Sequence, residues 1–198
     1  MSKRAWCSPR FHQSTRRLSK AVTCSFYRPL ITKADLLSRI RGGDPGFVRV
    51  LDSKTVAFPC YDGNGMFYSM GNLLGNHNVG MLFVNFEKPH RLRLQGIASV
   101  NDSDPLLKDY AEAQLIVRVA VTEIFRNCPR YVHHYKKVQP SEFIPRSTCQ
   151  TPLAPWKRVD DIQMSLPARD RTRVEREGAL ISRAEYEKYL TEVASREP

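Results

Sequence analysis

The chain has 198 residues, 41% of them hydrophobic, which suffices for one well-buried domain with tails but not for two domains of ordinary size. No apolar run approaches the roughly 20 residues that cross a bilayer, and no charged segment leads into an apolar stretch as in a secretory signal. The five cysteines are odd in number and form no C-x-x-C pair, which argues against a disulfide framework and for a reducing compartment. We therefore expect a cytoplasmic domain that contacts no membrane.

Positive charge is concentrated at the N-terminal end of the chain. The net charge is +11, and residues 1–49 carry +9 of it, which leaves +2 for the remaining 149 residues. A basic face on the folded domain is therefore not expected, and neither is nucleic acid as a partner. We interpret residues 1–24 as a basic arm with three open roles: a mitochondrial transit peptide, a tail that binds RNA or anionic lipid non-specifically, or a segment with no chemistry of its own.

Short β-type segments alternate with turn residues between residues 41 and 100. Runs of β-branched and aromatic residues bounded by Gly, Pro, Asn or Asp predict strands at 47–51, 55–59, 79–86 and 91–100. Between the second and third strands, glycines give way to apolar residues at helical spacing, which predicts a loop and then a short helix within 63–76. The last two strands are joined by a connection of hairpin length, so we expect them to be neighbours in an antiparallel barrel.

The C-terminal third follows a different pattern. Residues 140–170 are rich in proline and poor in periodic apolar positions, which predicts an extended segment that wraps a surface, with Trp156 as its anchor. Ser182 and Glu185 have the spacing of a capping box, so a short amphipathic helix is predicted to follow them.

These segments resemble the pyridoxamine 5'-phosphate oxidase-like, FMN-binding split-barrel family. The resemblance covers about two thirds of the chain and rests on RGGDPGFVRVLD, AFPCYDGNGMF, GNLLGNHNVGMLFVNF and HRLRLQGIASV, with LIVRVAVTEIFRNCPRYVHHYKKV and PWKRVDDIQMSLPARD resembling the last strand and the tail of bacterial members. It implies a mainly β fold, an antiparallel split β-barrel over residues 25–140, with an extended C-terminal arm and short helix over 141–198. It also implies a homodimer that holds the flavin between its subunits.

One family feature has no clear counterpart in the sequence. Family members place a two-stranded hairpin before the Gly-Gly hinge, and Gly42 and Gly43 are present, but residues 25–40 do not alternate like a pair of strands. Loss of two strands would open the barrel and expose an edge. We therefore expect either a hairpin rebuilt from this segment or a weakened fold.

The resemblance implies an FMN site on the predicted strands. Arg49, Val50 and Leu51 match the phosphate-binding Arg-x-Val-Leu segment of the family, and a guanidinium can hold phosphate oxygens in a bidentate fork. Phe58 and Pro59 match the positions against the ring and the ribityl chain, although Pro59 departs from the family by lacking a backbone donor. A solvated strand residue is the other interpretation of Arg49.

A second departure changes the expected phosphate contacts. Where pyridoxamine 5'-phosphate oxidases carry Ser-Arg-Lys after Asn-Tyr, residues 60–66 read CYDGNGM, so two cations are missing. Glycine amides, Asn64, Ser69 and the start of the helix would donate hydrogen bonds instead. Arg91, at the position of a Gln that faces the flavin, would supply a compensating charge, although its alternation with apolar neighbours also fits a strand with a wet outer face.

Two functions stay open at this stage. The resemblance implies an FMN-dependent oxidoreductase that acts with a small-molecule substrate or reductant, in which the protein supplies orientation and electrostatics to the flavin. The missing cations argue against pyridoxamine phosphate as that substrate. The alternative is a non-enzymatic split-barrel protein that holds flavin, haem or deazaflavin for storage, sensing or stress response. No metal site is expected, because Cys128, His133 and His134 lack the paired spacing of zinc ligands.

Overall fold

The computed structural model describes residues 23–27, 39–63, 65 and 67–195. Its strands are β1 (Thr23–Tyr27), β2 (Arg39–Arg41), β3 (Arg49–Val50), β4 (Thr55–Cys60), β5 (Asn78–Asn85), β6 (His90–Asn101) and β7 (Leu115–Asn127). They form one antiparallel sheet in the order β2-β1-β5-β6-β7-β4-β3. Among these strands no ladder joins β2 to β3, so the sheet is not closed. This mainly β, split-barrel architecture confirms the predicted fold class.

The four strands predicted between residues 41 and 100 are present as β3 to β6. β5 and β6 are neighbours, with Asn85 opposite His90 and Val79 opposite Gly96, as the hairpin-length connection predicted. The helix expected after the glycine-rich loop is α1 (Tyr68–Gly75), which buries Met70 and Leu73. Local patterns were sufficient for β5 and β6 because both strands alternate in burial and a short connection joins them.

The uncertain N-terminal hairpin is rebuilt from the segment that precedes the glycine hinge. β1 pairs with β2 on one side and with β5 on the other. Thr23 and Cys24 belong to β1 yet lie on the arm side of the predicted domain boundary. A truncation meant to remove only the arm should therefore end at residue 22.

The main core lies on one face of the sheet and is completed by Met70 and Leu73 of α1. Its most buried side chains, each at most 1% exposed, are Val56, Phe58, Leu94, Val117 and Val119. A smaller apolar cluster on the other face of β4 holds Ala57, Tyr110 and Ile116. Consecutive residues of β4 therefore contact different clusters, which explains why β4 is buried on both faces.

The C-terminal arm is more regular than the sequence predicted. Two 3₁₀ turns (Pro155–Arg158 and Asp160–Ser165) lead into α2 (Ala168–Glu177) and α3 (Arg183–Ala194). The capping box of α3 is confirmed, since Ser182 and Glu185 exchange side-chain and backbone hydrogen bonds. α2 was not predicted because Val174 is its only buried apolar residue, so it has no apolar periodicity to detect. None of the described helices has the length and apolar character needed to span a bilayer.

Candidate functional site

A small cleft opens at the end of β4, between the loop that follows this strand and the start of α1. Its volume is about 70 Å³, and its lining residues are Arg41, Cys60, Tyr61, Gly63, Gly65, Phe67, Tyr68 and Ser69. Ser69 and the glycines of the loop therefore lie together, and their contacts with a phosphate stay a prediction. Asn64, the other predicted donor of this loop, lies outside the described residues.

The N-terminus of α1 contributes to the cleft. Phe67, which precedes the helix, has a left-handed backbone (φ 48°, ψ 21°), and its side chain does not cap the helix. A bulky residue with positive φ is strained and is often found at a functional site. The first turn of a helix carries unpaired N–H groups and the positive end of the helix dipole. Because Ser69 of this turn lines the cleft, an anion bound there would lie close to these donors.

Arg41 brings a cation to the cleft and lies against a buried thiol. Its Nη1 atom is 3.8 Å from Sγ of Cys60. Burial raises the pKa of the Cys60 thiol, and the Arg41 guanidinium only partly opposes this shift. The thiol therefore stays protonated near neutral pH and does not act as a nucleophile. Its sulfur accepts from Arg41, and its S–H donates to the carbonyl oxygen of Tyr61 (3.8 Å).

We expect Cys60 to resist alkylation in the native protein, whereas Cys128 and Cys149, which are exposed, react first. Each unit by which a thiol pKa is raised lowers its reactive thiolate fraction about tenfold. Mass-spectrometric mapping after brief iodoacetamide treatment at neutral pH measures the order of modification, with denatured protein as the control. Early modification of native Cys60 would contradict this assignment.

Arg49 lies outside the main core and does not line the cleft. It forms an ion pair with Asp109 (2.6 Å), and its side chain is 38% exposed. Its guanidinium lies 4.6 Å from the ring centre of Tyr110. Burial raises the pKa of Tyr110 to about 12, although the Arg49 charge opposes this rise. Tyr61 lines the cleft and also lies within range of the Arg49 charge. Burial raises the pKa of Tyr61, and the Arg49 guanidinium opposes part of this rise.

The two residues that follow Arg49 contact different parts of the fold. Val50 packs against the main core, and Leu51 packs against the smaller cluster on the other face. Neither residue lines the cleft. Val50 and Leu51 therefore serve packing, and the phosphate contact predicted for Arg49 stays a prediction.

The remaining predicted site residues lie apart from the cleft. Phe58 is 1% exposed and belongs to the main core. Pro59 is buried and pairs with Ile116 of β7 on one side of β4. On the other side, the pairing of β4 with β3 has already ended at Ala57, so the N–H that proline lacks would have had no partner in β3. Arg91 lies on β6, where its Nε donates to the carbonyl oxygen of Cys128 (3.1 Å). These placements leave the predicted FMN contacts of all three residues as predictions.

The C-terminal arm holds the cleft loop in place. Asp62, between Tyr61 and Gly63, accepts hydrogen bonds from Lys157 and from Arg169 (2.7 Å). Burial opposes ionisation of Asp62, but these two cations together with Gln114 outweigh it and lower the pKa of the carboxyl group. Lys157 also lies 2.9 Å from Asp170 of α2, and their side chains are only 6% and 7% exposed.

A second contact joins the arm to the loop. Gly65 has a positive φ of 74°, and a Cβ atom at this position would come within 2.9 Å of Pro167. Only glycine combines this backbone conformation with so close an approach of the arm. The arm therefore covers the loop through the contact between Pro167 and Gly65 as well as through the ion pairs of Lys157.

Lys157, unlike Trp156, is buried in the arm, together with the apolar Val159 and Leu166. Trp156 is half-buried, whereas Lys157 is 5% exposed as a residue. The expectation that Trp156 anchors the arm rested on side-chain size and was wrong, because the buried carboxylate of Asp170 and the partly buried one of Asp62 require a cation. One signal was present in the sequence: Asp62 occurs in the segment where pyridoxamine 5'-phosphate oxidases carry cations.

No protein-family model and no curated protein matches the chain. Similar solved structures include HupZ of Group A Streptococcus, at 14% identity and a TM-score of 0.48, covering 64% of this chain and 99% of that one. General Stress Protein 26 of Bacillus anthracis is 10% identical, with a TM-score of 0.38 and coverage of 57% and 88%. A candidate pyridoxamine 5'-phosphate oxidase of Lactobacillus delbrueckii is 13% identical, with a TM-score of 0.48 and coverage of 61% and 98%. The similar structures thus include proteins named for pyridoxamine 5'-phosphate oxidase, the family whose motifs the sequence resembles.

Proposed function

We propose that the chain is an FMN-dependent oxidoreductase of the pyridoxamine 5'-phosphate oxidase-like type. The observation that carries this proposal is the cleft at the end of β4, where a loop with two glycines, the N-terminus of α1 and the Arg41 guanidinium meet. Backbone amides at a helix N-terminus and a nearby guanidinium are groups that bind phosphate. This donor set fits the phosphate end of the cofactor.

The size of the cleft bears on how the rest of FMN would be held. Pockets that enclose a ligand of this size usually measure about 300–1,000 Å³, whereas this cleft measures about 70 Å³. Within the described residues, this cleft therefore offers a place for the phosphate but does not enclose an isoalloxazine ring. The proposal accordingly includes a homodimer, in which a second copy of the chain supplies the remaining wall.

The chain's own residues would bind and orient the cofactor rather than move protons. FMN, when bound, supplies the hydride chemistry itself. Burial raises the pKa of both Cys60 and Tyr61 in the cleft, so both stay neutral at pH 7 and neither acts as a general base. Arg41 lines the cleft, and the Arg49 charge acts on Tyr61 against that of Asp44. Both guanidinium groups favour binding of an anionic cofactor.

The purified protein tests the proposal through its absorption spectrum. We expect oxidised-flavin bands in the protein as isolated or after addition of FMN, and then bleaching by NADH or NADPH without oxygen and recovery in air. Sedimentation of the loaded protein should show a dimer. A colourless protein that binds no FMN would refute the proposal, and a stable monomer that holds FMN would refute the dimer.

One observation favours the second candidate, a split-barrel protein that holds flavin, haem or deazaflavin without turnover. The Asp62 carboxylate borders the cleft loop, and its charge opposes a dianionic phosphate except where Lys157 and Arg169 neutralise it. A monoanionic group, such as one haem propionate or a phosphodiester, would meet less repulsion there than a dianionic phosphomonoester. Haem or deazaflavin bands, or flavin bands that neither nicotinamide nucleotide bleaches, would support this candidate instead.

We expect Arg49→Ala to weaken FMN binding by about 1.5–3 kcal/mol, the usual effect of losing a charge-assisted hydrogen bond. Titration of the cofactor-free protein with FMN, followed by flavin fluorescence, measures the change. Asp109→Asn is the matched control, because it removes the ion-pair partner of Arg49 and keeps the guanidinium, so its affinity should be equal or higher. Unchanged affinity in Arg49→Ala would make Arg49 a solvated strand residue.

A further inference from the structure

Three segments of the chain meet at one end of the sheet. They are the hairpin between β5 and β6, the end of β7, and the irregular segment that follows β7. The backbone N–H of Tyr135 donates to the carbonyl of Phe86 (3.0 Å), and that of Lys137 donates to the Glu87 carboxylate (3.2 Å). Arg91 at the start of β6 donates to the carbonyl of Cys128 (3.1 Å). Residues 86–93 and 126–137 therefore form one surface, which we call the basic end.

The basic end is more positive than all the rest of the described chain. It carries seven cations against the single carboxylate of Glu87, a net charge of +6: Lys88, Arg91, Arg93, Arg126, Arg130, Lys136 and Lys137. Of the total charge of +11, +7 belongs to residues that the structure does not describe, so the described residues together carry +4. Because the basic end carries +6, the rest of the described fold carries −2. The expectation that the folded domain has no basic face was therefore wrong. The charge of residues 50–198, summed along the chain, is only +2, but seven of its cations lie together at one end of the fold.

Most of these cations are not paired with carboxylates. In the part of the chain that the structure describes, no carboxylate lies within 4.0 Å of the charged groups of Lys88, Arg93, Arg130, Lys136 or Lys137. Elsewhere in the fold, cations such as Arg118 and Arg146 form ion pairs. Like charges held close together repel one another, and an external polyanion would relieve that repulsion.

Exposed aromatic rings lie among the cations. Tyr131 is 80% exposed and Tyr135 is 57% exposed. Tyr135 meets the exposed Phe86 edge-on, with the ring centroids 5.5 Å apart, and lies 6.5 Å from the ring of His133. These contacts fix Tyr135 at one edge and leave much of its ring open to solvent, so it offers a surface on which a planar group can stack.

We propose that the basic end binds single-stranded nucleic acid without reading its sequence. The cations would contact phosphates, and Tyr131 and Tyr135 would stack on bases, which are accessible in single strands and enclosed in duplexes. An anionic membrane would also attract the cations, but membrane-surface segments commonly present an amphipathic helix with an aliphatic face, and residues 128–140 are irregular. The aromatic and cationic composition therefore favours nucleic acid over lipid.

The test uses the full-length protein and a short fluorescent oligouridylate, with anisotropy recorded over a series of potassium chloride concentrations. The triple variant Arg130→Gln/Lys136→Gln/Lys137→Gln should reduce the slope of log K against log salt by about 2, since each lost phosphate contact in single strands contributes about 0.7. Tyr131→Ala should weaken binding about tenfold and leave the slope nearly unchanged.

Matched controls separate the basic end from total charge and from the N-terminal arm. Lys108→Gln/Arg176→Gln/Lys188→Gln removes the same charge from exposed positions elsewhere in the fold and should keep most of the slope. Deletion of residues 1–22 measures what the arm adds. Thermal melting of each variant shows whether it is folded before its binding is compared.

Three results would overturn the proposal. The first is equal loss of binding in the triple variant and its charge-matched control, which would assign binding to net charge alone. The second is equal competition by inorganic polyphosphate and by the oligouridylate together with no effect of Tyr131→Ala, which would leave no role for bases. The third is binding to phosphatidylserine vesicles without binding to the oligouridylate, which would make the surface a lipid contact.

Discussion

Lys157→Ala is expected to destabilise the folded protein by about 3–5 kcal/mol, the usual effect of removing one partner from a buried ion pair. The variant leaves the Asp170 carboxylate, which is 7% exposed, without the ammonium that lies 2.9 Å away. Asp62 also loses a partner, although Arg169 still lies 2.7 Å from it. Because Lys157 joins the arm to the cleft loop, we also expect the variant to bind FMN more weakly at temperatures where it is folded.

Denaturant unfolding followed by circular dichroism measures this loss. The matched control is Lys157→Met/Asp170→Leu, which replaces the buried charges with apolar groups of similar size and should recover most of the stability. Arg176→Ala, which removes an exposed cation from the outer side of α2, should change stability by less than about 0.5 kcal/mol. A loss below about 1 kcal/mol in Lys157→Ala would mean that the pair is solvated in solution.

The difference between wild type and Lys157→Ala should shrink in acid. The pKa of Asp62 is lower in the folded state than in the unfolded state, so the unfolded chain binds its proton more readily. The resulting stability is fully present above the ordinary Asp pKa of about 3.9 and is lost as the pH falls through the lower folded value. Unfolding curves at neutral pH and below about pH 4 therefore check the sign as well as the size of the effect.

Phe58→Ala is expected to destabilise the protein by about 3–5 kcal/mol, as large-to-small substitutions in cores do. The side chain is 1% exposed and packs within the main cluster of the barrel. The family resemblance placed Phe58 against the flavin. Its burial predicts instead that the variant is less stable, and that any loss of cofactor results from unfolding.

Two measurements on the same variants separate these roles. Phe58→Leu, which keeps most of the volume, should cost less than about 1.5 kcal/mol, and both variants should bind FMN normally where they are fully folded. Melting temperature and FMN titration below the melting transition provide the comparison. Normal stability with weakened FMN binding would show that Phe58 contacts the cofactor.

The sequence predicted those parts of the fold that local patterns determine. β5 and β6 follow from alternation and a short connection, α1 from glycines followed by apolar spacing, and α3 from the capping box at Ser182. The order of the remaining strands depends on contacts between distant segments, and no local pattern encodes those contacts.

The candidate site was predicted less completely for the same reason. The glycine loop and Ser69 were found from their neighbours in the sequence. Arg41 reaches the cleft through the pairing of β2 with β1, and Lys157 reaches Asp62 across 95 residues. The basic end was missed because charge was summed along the chain, whereas the register of β5, β6 and β7 brings separate segments together.

The order of strands in the sheet has a consequence for how the chain folds during synthesis. β5, β6 and β7 form a meander of consecutive neighbours, joined by residues 86–89 and 102–114, and such local pairing can form quickly. β4 must wait for β7, because Phe58 pairs with Val117, and β1 must wait for β5. On a ribosome the apolar TVAFPC segment therefore emerges well before its partner and stays open to wrong pairing for seconds at ordinary elongation rates of about 5–20 residues per second. We expect folding to begin at the meander and the earlier strands to add to its two sides, so yield during expression should depend on chaperones more than the stability of the finished fold would suggest.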